Sequence, residues 1–328
     1  MTRITWLMSL LIVSAMACGD DSGGTDSGPG TDGGDDDAGE VMLPVAMNGD
    51  GADPTDPTGI NLDPSTAMPP NMACIDTLSA PVGGAEQAFS IRIQEFRTDD
   101  TLEGLCVKFY QDNMPTPGDT CDPGTDLVTD EAGTVPVTGL ADGWYAYRVF
   151  PKPGPSPSLQ IAGSVQINEP APSEDREVEG NSVSQATLDL IPTVLGFNQE
   201  PGTAIVAGTV WDCDEDPLWG TVARVFREDG TEIVEGTRSP DPHFRYFDGD
   251  DFPKSDQPFT HTDGIFVVAN VPVGADGEFV FIEIWGRLSE ASEPEIISCE
   301  RMPIFADTIS IVNMAPRRMD IAACPNLP

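Results

Sequence analysis

Residues 129–149 read Thr-Asp-Glu-Ala-Gly-Thr-Val-Pro-Val-Thr-Gly-Leu-Ala-Asp-Gly-Trp-Tyr-Ala-Tyr-Arg-Val. Asp130 and Gly133 have the chemistry of a tight turn, because glycine takes positive φ without steric cost and a short carboxylate bonds nearby backbone amides. Val135 and Val137 then alternate with Pro136 and Thr138, the two-residue period of a strand with one buried face. Leu140 closes that face, Gly143 marks a second turn, and Tyr145, Tyr147 and Val149 begin a new alternation. This turn, strand, turn, strand unit is antiparallel β structure.

The unit recurs. Thr262-Asp263-Gly264-Ile265-Phe266-Val267-Val268 is followed by Val271-Pro272-Val273-Gly274, so Gly264, Val271 and Gly274 repeat the spacing of Gly133, Leu140 and Gly143. Around the first copy, short alternating or apolar runs predict strands at Phe89 to Ile93, Leu105 to Tyr110, Gln160 to Ile167 and Ala186 to Leu190. Around the second they predict strands at Ala204 to Trp211, Val222 to Phe226, Glu278 to Trp285, Ile296 to Cys299 and Thr308 to Val312. Gly, Pro and Asp clusters separate them, and no amphipathic helix is predicted between them. The expected fold is all-β, with two β-sandwich modules at 74–199 and 200–328.

These motifs resemble the carboxypeptidase regulatory-like family, a transthyretin-like β-sandwich with the pattern T-D-x-x-G, alternating hydrophobics, then L-x-x-G-x-Y. Thr129 through Tyr145 match it residue for residue. The second copy departs, since two residues are missing between Asp263 and Gly264 and no Tyr follows Gly274. Ala204 to Val210 and Val222 to Phe226 are similar to the family's opening strands, so the resemblance covers most of 200–285 and part of 86–150. It implies non-catalytic modules, related in fold to carbohydrate-binding modules and found in bacterial surface lipoproteins. No cofactor and no metal is implied.

The chain has 328 residues, with 16 Lys+Arg against 55 Asp+Glu and a formal charge of −39. That balance argues against nucleic acid as a partner, because phosphate contacts need a basic face. Its beginning has the form of an export signal: Arg3, then an apolar run from Ile4 to Ala17, too short to span a bilayer. Ala15-Met16-Ala17-Cys18 resembles a lipoprotein lipobox, with residues 1–17 removed and Cys18 lipidated. Ala-Met-Ala also fits ordinary secretory cleavage. The expected membrane contact is through lipid, in the bacterial envelope at the outer membrane.

From Gly19 to Ala73 there are twelve acidic residues, no Lys or Arg and no apolar period, which predicts a disordered tether over 18–73. Residues 74–328 still carry 43 acidic against 15 basic side chains. Setting Cys18 aside leaves six cysteines, an even number suited to three disulfides in an oxidising compartment. Cys213 with Cys299 is the favoured pair, Cys106 with Cys121 closes a local loop, and Cys74 with Cys324 follows by exclusion. Fifteen connectivities are open, and zinc is disfavoured because no C-x-x-C or spaced His accompanies them.

The segment from Arg238 to His261 holds Phe244, Tyr246 and Phe247 among carboxylates. As a long loop it is a candidate sugar-binding surface, while the plainer reading folds the rings over the sheet. Trp144, Tyr147, Trp211, Trp219 and Trp285 read as sheet packing. Asp212, Asp214 and Asp216 alternate as in a calcium loop, but Pro217 stands where such a loop needs Gly. They read as a strand-end turn, and the triplet Asp35 to Asp37 as part of a solvated spacer. No pair of acids stands out for glycoside hydrolysis. The expected role is structural or adhesive, with another envelope protein as partner. The alternative is recognition of a polysaccharide by the second module.

Overall fold

The computed structural model describes residues 43–49, 68–77, 83–96, 98–157, 159–195, 197–236, 241–247, 253–254, 257–317 and 324–326. Cys18, the apolar run before it and Asp35 to Asp37 lie outside the described residues. In chain order the strands are β1 (Met47–Asn48), β2 (Glu86–Glu95), β3 (Cys106–Tyr110), β4 (Leu127–Val128), β5 (Thr134–Leu140), β6 (Trp144–Val149), β7 (Ile161–Pro170) and β8 (Glu177–Ser184). A helix, α1 (Gln185–Val194), follows. Then come β9 (Thr203–Val210), β10 (Leu218–Trp219), β11 (Val222–Arg227), β12 (Glu232–Ile233), β13 (His243–Phe247), β14 (Pro253–Lys254), β15 (Ile265–Pro272), β16 (Glu278–Gly286), β17 (Glu295–Ile304) and β18 (Thr308–Met314).

The fold is all-β in stacked sheets. One continuous sheet runs β14-β13-β15-β9-β18-β7-β6-β3-β4. In the first half β5, β2 and β8 form a layer against one face of β3, β6 and β7, enclosing Phe89, Ile91, Val137, Val107, Tyr145 and Tyr147. In the second half β12, β11, β16 and β17 cover the other end, enclosing Val225, Ile282, Met302, Phe266, Val268 and Val312. Each half buries the apolar face of two sheets against each other, the arrangement that alternating strands require.

The halves are joined through the shared sheet. β18 runs parallel to both neighbours, Ile309 opposite Ile205 of β9 and Ser164 of β7. β7 is consequently buried on both faces, with Val165 and Ile167 in the second core and Ile161 in the first. Arg148 of β6 reaches across, its guanidinium 3.5 Å from the centre of the Phe305 ring and 4.4 Å from that of Phe150. The described residues, all within 43–328, form one compact unit.

Three expectations are corrected. Ala186 to Leu190 is helical, not a strand. Ser184 caps the helix by accepting the Thr187 amide at 3.1 Å, and the buried Glu95 carboxylate accepts the Thr187 hydroxyl at 2.7 Å and the Ser184 amide at 3.2 Å. Leu188 in the helix and Leu195 just past its end are both buried.

Residues 43–49 and 68–73, expected within a disordered tether, are docked on the second half. β1 pairs with β10, and Leu43 and Ala46 are buried. The Ala46 amide donates to the Arg287 carbonyl at 2.7 Å, and the Arg287 guanidinium donates to the Leu43 carbonyl at 3.0 Å. Backbone pairing and two buried apolar side chains outweigh the acidic, Gly-rich context here.

The disulfides are Cys74–Cys213, Cys106–Cys121 and Cys299–Cys324. The local pair is as expected, but Cys213 is not joined to Cys299, nor Cys74 to Cys324. The reason is the docked leader, which brings Cys74 beside the end of β9, where the Cys213 amide donates to the Asn71 carbonyl at 2.9 Å. Cys299 lies instead on the outer face of its sheet with Phe226, Phe281 and Ile296, and Cys324 covers that face. The buried Glu283 carboxylate fixes the following turn, accepting the Asn326 amide at 3.1 Å and its side-chain NH2 at 3.0 Å.

Candidate functional site

The segment carrying Phe244, Tyr246 and Phe247 is a strand where it is described, not a free loop. β13 pairs with β15 from His243 opposite Ala269 to Tyr246 opposite Phe266, and with β14 at Tyr246 and Phe247. Alternation along it sends Tyr246 into the second core, where its hydroxyl oxygen accepts the Ala223 amide at 3.1 Å. Burial is the main cause that pushes the Tyr246 phenol above its usual pKa, so it stays a neutral group. Phe247 is buried as well, and Phe244 is half-buried at the edge of the core. Asp248 to Asp251 and Phe252 lie outside the described residues.

An open cleft of about 490 Å³ separates the edge strand β12 from β13. Ile233, Val234, Phe244 and Tyr246 supply its apolar lining. Two ion pairs supply the polar part. Arg224 bonds Glu232 in bidentate fashion, Nε to Oε1 and Nη2 to Oε2, both at 2.7 Å. Arg245 pairs with Glu235 through Nη1, which also donates to the Phe244 carbonyl at 2.6 Å. Gln257 completes the wall and spends its NH2 on the Phe259 carbonyl at 3.1 Å. Chemically the cleft offers one partly exposed ring beside paired donors and acceptors, a surface suited to a neutral, hydroxyl-rich ligand.

His243, next in the strand, was not singled out from sequence. It is buried, neither ring nitrogen has a hydrogen-bond partner among the described residues, and the ring stacks on Phe197 with centroids 4.4 Å apart. Burial, then the Arg245 charge, lowers its pKa. A buried strand-edge position gives no sign in sequence that a histidine there is unpartnered.

The Asp212, Asp214 and Asp216 motif is a clamp. Asp212 is buried, and its Oδ1 accepts the Asp214 and Asp216 amides at 2.8 and 3.1 Å while Oδ2 accepts the Asn71 amide at 2.8 Å. Asp216 accepts the Asn48 side-chain NH2 at 2.7 Å. The motif thus folds a strand-end turn, as expected, and also holds both docked pieces of the leader. No cluster of three or more metal-ligating side chains occurs among the described residues. Of the other aromatic candidates, Tyr147 and Trp219 are buried, Trp285 is partly covered by the outer cluster, and Trp144 and Trp211 are half-buried.

No protein-family profile matches the chain. No curated protein sequence matches it either. Among solved structures it is similar to the shaft pilin SpaA from Lactobacillus rhamnosus GG, with 11% identity, a TM-score of 0.20, and coverage of 74% of this chain and 100% of that one. It is similar to a streptococcal ancillary pilin at 16% identity and TM-score 0.20, covering 71% of this chain and 62% of that one. A third is the major pilin subunit BcpA of Bacillus cereus, at 9% identity and TM-score 0.20, covering 71% of this chain and 100% of that one. At these identities and scores the likeness carries no argument about function.

Proposed function

We propose that this chain is an exported bacterial envelope lipoprotein whose folded unit is a non-catalytic structural or adhesive element of the carboxypeptidase regulatory-like kind. The observation that carries the reading is the cysteine inventory. All six cysteines among the described residues are in disulfides, which belong to an oxidising compartment, and the one left over is Cys18 behind its apolar run. The acidic surface suits a module held in water beside a membrane. Lipid at Cys18 and the residues after it would anchor the chain at the outer membrane, and the docked leader would transmit that attachment to the second half. Expression of the full chain in a bacterium with an alkyne fatty acid, followed by membrane fractionation, tests this. Label on the wild type, lost in Cys18→Ser together with membrane retention, supports it. An unlabelled wild type overturns it.

A second reading, recognition of a polysaccharide by the second half, is favoured by the cleft beneath β13. Of the three rings first considered, only Phe244 keeps area to stack on a sugar. On a glycan array this reading requires binding that Phe244→Ala abolishes and Tyr246→Phe retains. Absence of binding to every glycan rejects it.

A further inference from the structure

β5 pairs with β2 on one side, and no strand pairs with its other side among the described residues. β4 ends the central sheet in the same way. Between these two edges the first half opens into a groove of about 900 Å³. Its floor is apolar, with Val107, Val137 and Phe89 buried and Phe109 half-buried, the two phenyl rings meeting edge-on with centroids 6.0 Å apart. Phe109 also packs on Tyr145, ring centroids 5.2 Å apart, and as the half-buried member it is the floor residue that keeps accessible area.

The rim is acidic. Asp119, Asp126 and Asp175 line the groove against a single base, Lys108, which is 3.4 Å from Asp119. Asp119 also accepts the Tyr110 hydroxyl at 3.0 Å, and burial with that neighbour keeps the phenol protonated. The Cys106–Cys121 disulfide closes the loop that carries Asp119. Asp175, on the β7–β8 loop, is exposed.

We propose that this groove binds an extended segment of a partner protein in which apolar residues alternate with Lys or Arg. The apolar side chains would lie against the accessible part of Phe109, and the cations would meet the carboxylates. A second copy of this chain does not fit, because its surface would bring acid to acid. Pro136 sets the mode of binding. Ser90, its partner in β2, donates instead to the Arg176 carbonyl at 3.2 Å, so Pro136 turns its backbone to the open edge with no N–H to give. Strand addition along β5 is therefore interrupted, and side chains carry recognition. The site gives the adhesive reading a partner chemistry and is independent of the lipid anchor.

The test uses the mature chain from residue 18 and a labelled eight-residue peptide of alternating Val and Lys, compared by anisotropy with Val-Ser and Val-Glu peptides. The Lys peptide should bind best and weaken several-fold as salt rises from about 50 to 200 mM. Asp175→Lys, at an exposed position, should weaken it about tenfold, and Asp126→Asn about two- to fivefold. Glu235→Gln, in the other cleft, should change nothing. Equal binding of the Lys and Ser peptides, or unchanged binding to both acidic-rim variants, overturns the proposal. Either result leaves the lipid-labelling outcome untouched.

Discussion

Gly133 and Gly264 open the same local unit, both at positive φ, yet the chain then crosses the molecule in opposite directions. In the first half the strand that follows, β5, lies in the outer layer, and the chain passes to the shared sheet at β6. In the second half β15 lies in the shared sheet between β9 and β13, and the chain passes outward to β16. Three residues after each glycine stand Pro136 and Val267. Among the described residues Pro136 has a partner on one side only, while Val267 is paired with Ala207 on one side and Arg245 on the other. The difference shows that a turn motif sets the corner, and the strand's neighbours decide which residues can fill it.

The second half is also the anchored one. It holds both docked leader pieces and two of the three disulfides, whereas the first half has one local disulfide. The largest expected effect follows from this. Cys74→Ser opens a loop of 139 residues and should cost about 5 kcal/mol, against about 3 for Cys106→Ser with its 15 residues, on the loop-entropy estimate. Chemical denaturation of the two variants measures the gap, and equal losses would break the contrast between halves.

Val267→Pro comes next. It removes a ladder N–H from a strand paired on both sides and should cost about 3 kcal/mol or more. Pro136→Val should stay within about 0.5 kcal/mol, because the edge needs no donor there. Asp212→Asn should cost about 1–2 kcal/mol, since one of the two oxygens that accept three backbone amides becomes an NH2. Its effect should shrink in a chain already lacking the Cys74–Cys213 bond, and a double-mutant cycle reads that coupling.

The smallest effect is one of pH. His243 has a folded-state pKa below its ordinary value, because burial and Arg245 disfavour the charged ring. The unfolded chain therefore takes up the proton first, and the stability present above about pH 6.5 falls as pH drops below it. His243→Phe should flatten that part of the stability profile, measured by thermal unfolding at a series of pH values.

Much of the sheet structure was legible because alternation and tight turns are local. Phe89 to Ile93, Thr134 to Val137 and Glu278 to Trp285 all lie within observed strands. β8 escaped notice because it carries Gly180 and Asn181 where apolar residues would signal a strand. Gly180 is there because a side chain would meet Ile91 at 2.7 Å and the Tyr147 hydroxyl at 2.9 Å. The helix was hidden by Ala186, Leu188 and Leu190, whose two-residue spacing imitates a strand over a run too short to show a helical period. The docked leader and the Cys74 partner depend on contacts between residues more than 130 apart, such as Asn71 with Asp212. No local pattern encodes them. For the cleft, Phe244 was legible as an aromatic among charges. The pairing of Arg224 with Glu232 and Arg245 with Glu235 was not, because it needs the register of three strands.

The architecture of the second half turns on where the leader is fastened. Protease digestion of the folded, alkylated chain without reductant, followed by mass spectrometry of the linked peptides, tests it most directly. The predicted result is Cys74 joined to Cys213, Cys106 to Cys121 and Cys299 to Cys324. A peptide joining Cys213 to Cys299 would contradict it.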